Sequence, residues 1–275
     1  MGRPFRPRAA QALRQLAFEV TPNLVVISGD LTQRAKAREF QAVWNFLEEL
    51  PRVPLIVTPG NHDVPLYRFW ERLTLPYRSW SRNIPRDLDS VTVVPGATVV
   101  ALNSASPWSA IVGGRITRAQ LRFARESFEN EPTLGGRVLV IHHHFICKST
   151  GGGGRPLPAA PGILKHIEEM GVDVVLSGHL HRMQVAMSRD LLPGEGSGVP
   201  LITAGTATSR RGRGKERGEN SVNVLDLLDD RIEVTPHLLR NSEQVFEASE
   251  TISLPRSRML NESPPPVQLM VEDGV

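Results

Sequence analysis

The chain has 275 residues, 40% of them hydrophobic and 22% charged, with a net charge of +3. That length buries a substantial core in one large domain or two small ones, and no apolar run approaches the ~20 residues of a membrane span. The mild positive charge suits a phosphate-bearing ligand and is too weak to indicate duplex nucleic acid. A single cysteine, Cys147, excludes an internal disulfide and fits a reducing compartment. Residues 1–8 carry charges with no apolar stretch behind them, unlike a signal peptide, so a cytoplasmic location away from membranes is expected.

Ala12, Leu13, Leu16, Ala17 and Val20 recur at helical spacing, which predicts a helix over 8–20. Residues 24–27 read as a buried strand that runs through Ser28-Gly29 to Asp30. A second amphipathic helix is predicted over 37–50 from Phe40, Val43, Trp44, Phe46, Leu47 and Leu50, ended by Pro51. Residues 54–58 form the next apolar strand, which stops at Pro59-Gly60 and presents Asn61, His62 and Asp63. Strand, helix and strand with short turns make a βαβ unit, so the sheet is at least partly parallel. Residues 64–90 lack a clean period and read as irregular with one short helix. Strands follow at 91–94 and 98–103, then a helix over 117–130 with Thr117 as N-cap.

The strand 138–141 leads straight into His142-His143-His144. Residues 148–161, with four consecutive glycines, read as a flexible loop. A helix over 162–170 then feeds a strand that ends in Gly178-His179-Leu180-His181. Beyond 182, β-like runs at 184–187, 200–204, 221–227 and 232–238 suggest a second, mostly antiparallel sheet. On this reading residues 1–254 are one domain and 255–275 a Pro-rich tail, ordered poorly or only by packing against the body.

Four apolar strands thus end in oxygen or nitrogen donors, at the carboxyl edge where open α/β sheets bind ligands. Asp30, Asn61, His142, His179 and His181 offer carboxylate, carboxamide and imidazole without thiolate, a set that suits Mn, Fe, Zn or Co. Asp30 can bridge two ions through its two oxygens. Two ions ~3.5–4 Å apart generate hydroxide at neutral pH and stabilise both oxygens of a phosphoryl displacement. His62 is placed to protonate the leaving group, with Asp63 holding its ring. Asn61 and His62 also face the substrate. The basic loop of Arg210, Arg211, Arg213, Lys215 and Arg217 offers guanidinium forks for a phosphate, Arg210 and Arg211 first. Asn103 and Ser104 are candidates to line the same cleft. His143 and His144 are as readily structural as functional, and Cys147 reads as inert.

The ordered set Gly29-Asp30, Gly60-Asn61-His62-Asp63, His142 at a strand end and Gly178-His179-Leu180-His181 resembles the calcineurin-like metallophosphoesterase superfamily. The bacterial cyclic-nucleotide phosphodiesterase branch is the nearest resemblance, over residues 1–240. It implies a four-layer α/β/β/α sandwich of two mixed sheets with a dinuclear centre between the sheet edges. By the same resemblance Asp30 bridges the ions, and Asn61, His142 and His179 complete one site. His181 belongs to the other, and His62 is the proton donor.

One departure matters. Relatives open with a strand ending in Asp-x-His that supplies most of the second metal site, and no histidine here has an aspartate two residues before it. Met1–Arg6 resembles the segment that follows that motif. The expectation is therefore a chain that begins after it, by a downstream start or by truncation, with the first strand missing. One ion is then held firmly by Asp30, Asn61, His142 and His179, and a second poorly by Asp30 and His181. An open sheet edge would also favour homo-oligomers. The implied activity is metal-dependent hydrolysis of small phosphodiesters, cyclic nucleotides among them. The alternative is a weakened member that binds a phosphorylated ligand or a protein partner. A single-strand nuclease is disfavoured because basic and aromatic residues do not interleave along any stretch.

Overall fold

The computed structural model describes residues 5–85, 87–108, 113–130, 135–146, 155–192, 198–240, 242–256 and 267–273. Cys147, the glycine loop at 148–154 and residues 257–266 lie outside the described residues. The first βαβ unit forms as its pattern dictates. β1 (Leu24–Ile27) and β2 (Leu55–Val57) pair in parallel, Val25 opposite Leu55, and α2 (Ala37–Leu47) crosses between them. Before it, α1 (Pro7–Val20) turns Leu13, Leu16 and Ala17 inward; its proline sits in the first turn, where no backbone N–H is needed. Residues 64–90 hold two short helices rather than one, α3 (Phe69–Thr74) and α4 (Arg78–Asn83). Trp80 of α4 is buried edge-on against Phe40 of α2, ring centroids 6.0 Å apart, a long-range contact that no local period encodes.

β3 (Ser90–Val94) and β4 (Ala97–Leu102) make a hairpin. α5 (Arg118–Asn130) opens on a reciprocal cap. The Gln120 amide donates to Thr117 Oγ1 at 3.2 Å and the Thr117 amide to Gln120 Oε1 at 2.9 Å. β5 (Gly136–Ile141), α6 (Ala160–Glu169) and β6 (Val174–Ser177) follow, then β7 (Gln184–Met187), β8 (Pro200–Thr203), β9 (Asn220–Leu227) and β10 (Arg231–Leu239). β11 (Glu247–Ala248), β12 (Ile252–Pro255) and β13 (Val267–Glu272) complete the described strands.

The strands beyond 182 do not build an antiparallel sheet of their own. β7 and β8 extend the sheet β3-β4-β5-β6-β8-β7, parallel from β4 through β8 with antiparallel strands at both edges. β9 to β12 instead join β1 and β2 in the order β11-β10-β9-β13-β1-β2, with β12 also on β10. Alternation along a strand states which face is buried, and leaves open which neighbour it bonds. Leu24, Val26 and Ile56 meet Val138, Val174 and Ile202 in the core between the sheets. Val25 and Ile27 face α1 and α2, and Val100, Leu139 and Val175 face α5 and α6. The result is a four-layer α/β/β/α sandwich of two mixed sheets.

The end of the tail packs into the body. β13 is an interior strand, parallel to β1 on one side and antiparallel to β9 on the other. It lies beside β1, so β1 is bonded on both sides and β2 forms one edge of its sheet. The proline run at 264–266 disguised a strand whose own pattern is sound. A buried ion pair ties the two sheets together: Arg256, after β12, donates from Nε to Asp173 Oδ1 at 3.0 Å and from Nη2 to Oδ2 at 3.2 Å. No helix among the described residues is long and apolar enough to cross a membrane.

Candidate metal centre

The parallel strands bring their ends to one edge. Asp30 follows β1, Asn61, His62 and Asp63 form a single 3₁₀ turn after β2, His142 directly follows β5, and His179 and His181 follow β6. Two loops come from each sheet, so the donors meet between the sheets. Asp30, His179 and His181 hold left-handed backbone, with φ of 56°, 71° and 55°, a strained choice for residues with side chains. The Asp30 and Asn61 loops approach so closely that a Cβ on Gly60 would run into the Asp30 amide and carboxylate.

His142 Nδ1 lies 2.8 Å from the Ser28 carbonyl. A carbonyl only accepts, so Nδ1 carries the proton and Nε2 turns a lone pair inward. That Nε2 is 3.0 Å from Asn61 Oδ1, 3.3 Å from His179 Nδ1 and 3.5 Å from Asp30 Oδ1, while His179 Nδ1 is 2.9 Å from the same Asn61 oxygen. A single proton on His179 Nδ1 cannot go to both Asn61 Oδ1 and His142 Nε2. Donors sharing one ion at ~2.1 Å lie roughly 3.0–3.4 Å apart, so this set fits a divalent cation. Burial pushes His142 below its ordinary range and His179 down to about 2, the latter helped by His142 and His143. Neutral imidazoles are what a metal requires. Burial opposes ionisation of Asp30, but the imidazoles of His142, His62 and His181 and the His62 amide outweigh it and hold the carboxyl below the usual carboxylate range. Asp30 Oδ2 and His181 Nδ1 are buried with no hydrogen-bond partner among the described residues, and burial pushes His181 down to about 4. Both are open donors.

His143 is a support. The Ser104 hydroxyl accepts from the amides of His142 and His143 at 3.2 and 3.0 Å, so its own proton goes to His143 Nδ1 at 2.9 Å. With that bond made, His143 keeps its proton on Nε2, and one of its ring nitrogens lies within 4.8 Å of those of His142 and His179. His144 stacks on His179, ring centroids 5.8 Å apart. Ser104 serves the site from behind, whereas Asn103 binds the Tyr77 hydroxyl and the Ala105 amide.

Two assignments change. Asp63 does not hold the His62 ring. It accepts from the Leu31, Gly60 and Thr32 amides at 3.1, 2.9 and 2.8 Å and from the Thr32 hydroxyl at 2.9 Å, clasping the Asp30 loop to the Asn61 turn. Burial and the neighbouring Asp30 push its carboxyl up to about 7. Successive residues of a 3₁₀ turn point about 120° apart, and the His62 ring instead rests its Nδ1 on the Gln33 carbonyl at 3.1 Å. Of the two arginines, Arg211 reaches the site, its Nη1 2.8 Å from His62 Nε2. Arg210 is exposed and lines a separate cleft with Arg6, Arg8 and Arg240, since the two adjacent arginines lie in a turn that sends them to different places.

Asp273 was not singled out from sequence. It follows β13, is fully buried, and accepts from the His179 amide at 2.9 Å through Oδ2. The stretch Val267-Gln268-Leu269-Met270-Val271-Glu272-Asp273 repeats the design of an apolar strand running into a donor, and that signal was available.

Residues 5–183 match the family described as calcineurin-like phosphoesterase. A protein of Synechococcus sp. named "Probable cyclic nucleotide phosphodiesterase" is 30% identical over 183 residues, and the matched part spans 64% of this chain and 64% of that relative. A dimetal phosphatase from Danio rerio superimposes with a TM-score of 0.59 at 14% identity, over 90% of this chain and 89% of that one. Purple acid phosphatase PPD1 from yellow lupin (Lupinus luteus) seeds gives 0.61 at 13% identity, over 91% and 50%. Those two likenesses show a shared fold. Since the matched span runs through Asp30, Asn61, His142 and His179 alike, the chain belongs to the calcineurin-like phosphoesterase family.

Proposed function

We propose that the protein hydrolyses small phosphodiesters, cyclic nucleotides among them, with a divalent ion (Mn, Fe, Zn or Co) held by Asp30, Asn61, His142 and His179 and a second shared between Asp30 and His181. The observation that carries this reading is the convergence of lone pairs from four strand ends, 2.9–3.5 Å apart and with too few protons to share. Ions bound there supply Lewis acidity to the phosphate oxygens and acidify water. The name of the Synechococcus relative supports the substrate class.

The chain's own residues then have distinct tasks. Arg211 binds a phosphate oxygen through its guanidinium fork. Leaving His62 for the substrate, it frees Nε2 to take a proton from solvent and pass it to the departing oxygen, while the Gln33 carbonyl keeps the ring oriented from Nδ1. Asn61→Ala and His179→Ala are each expected to abolish metal-dependent turnover of a bis-aryl phosphodiester. Turnover at the parent rate in either variant would remove the site. A second reading, a relative that binds a phosphorylated ligand without hydrolysing it, is favoured by the missing Asp-x-His. Adding Mn to metal-free protein separates the two: rate recovery supports the enzyme, and ligand binding without hydrolysis supports the rival.

A further inference from the structure

β13 places one more acid at this centre. Its register against β1 sets Ile27 opposite Glu272, so the next residue arrives at the strand edge that also delivers Asp30. Alternation turns Leu269 and Val271 into the core between the sheets and carries Asp273 onto the same face. There Oδ2 is taken by the His179 amide at 2.9 Å. Oδ1 has no hydrogen-bond partner among the described residues. It lies 3.7 Å from His142 Nδ1, whose proton already goes to the Ser28 carbonyl. Gly178 is bare at the one place where a Cβ would strike Oδ1, so backbone is shaped around the carboxylate. A buried carboxylate with an open oxygen is costly unless a cation or a proton meets it.

We propose that Asp273 is a ligand of the second ion, for which the sequence motifs provide only Asp30 and His181, and that binding of this ion is linked to docking of β13. The proposal rests on the phosphoesterase reading above. Ion binding then stabilises the β1–β13–β9 pairing, and undocking of β13 empties the second position while leaving the first set intact.

The test uses the full chain, stripped with chelator, reloaded with Mn and desalted, with metal per chain measured by plasma emission. The expected result is two ions in the parent and one in Asp273→Asn. Glu272→Gln, equally buried but on the opposite face of the strand, should keep two. Mn should slow amide hydrogen exchange at 268–272 in the parent and not in Asp273→Asn. Thermal melts establish that the variant folds, and its retained first ion shows the same. Two ions in Asp273→Asn overturn the proposal. So does loss of both ions in Asp273→Asn, the result expected if the residue only props His142 and His179, and so does equal loss in Glu272→Gln, which would point to strand packing. A parent that binds no Mn, Zn, Fe or Co overturns the phosphoesterase reading itself, whereas a two-ion parent beside a two-ion Asp273→Asn overturns only the role of Asp273.

Discussion

Arg211 donates from Nη1 to His62 Nε2 at 2.8 Å, so before substrate arrives the second nitrogen of that imidazole is occupied as an acceptor. The contact pre-positions a guanidinium where a phosphate would lie, and it costs the substrate little to displace. Arg211→Ala should raise KM for a diester about 10- to 100-fold, the ~1.5–3 kcal/mol of a hydrogen bond to a charged group. Arg210→Ala should leave steady-state kinetics within about twofold, because that side chain sits in another cleft. Equal effects of the two substitutions would mean that the loop acts only by its charge. At this scale the candidate donors Asp30, Asn61, His142 and His179 were legible, since each follows an apolar strand within four residues. The partner of Asp63 was not, because a carboxylate in a tight turn reaches several amides and only the folded loop selects among them.

At the scale of elements, β13 carries a second buried acid. Glu272 shares the face of Met270, toward the layer of α1 and α2, and burial alone pushes its carboxyl from 4.5 up to about 8. A folded value above the unfolded one means that the folded state holds an extra proton in between. Its contribution to stability is intact below pH 4.5 and is lost as pH rises through about 8. Glu272→Gln removes this dependence. Urea midpoints should therefore converge for the two proteins near pH 4.5 and separate toward pH 8, the variant gaining on the order of a few kcal/mol. A gap that stays constant across that window would show that Glu272 ionises freely in the folded protein. The βαβ unit of β1, α2 and β2 was readable because period and turn residues agree there. β13 was passed over because a proline run precedes it and one of its two partners, β1, lies more than 200 residues away along the chain.

For the whole molecule, the Arg256–Asp173 pair is an ionic tie between the sheets, buried at both ends. Arg256 also donates to the Leu228 carbonyl at 2.8 Å, and Asp173 accepts from the Arg137 amide at 2.8 Å. Arg256→Ala leaves a buried carboxylate without its counter-charge and should cost about 3–5 kcal/mol in urea unfolding. A loss under about 1 kcal/mol would place the pair in a solvated crevice. No sequence pattern signals such a pair, since its halves belong to different sheets. By itself the sequence determined the strand-and-helix alternation, the donors at four strand ends and the family those donors resemble. These depend on periodicity and on residues next to one another along the chain. Only the tertiary structure decided that the strands after 182 divide between two sheets, that β13 closes the place beside β1, and that Asp273 meets His179. Backbone hydrogen bonding between strands is nearly indifferent to sequence, so partners are chosen by how the whole core packs.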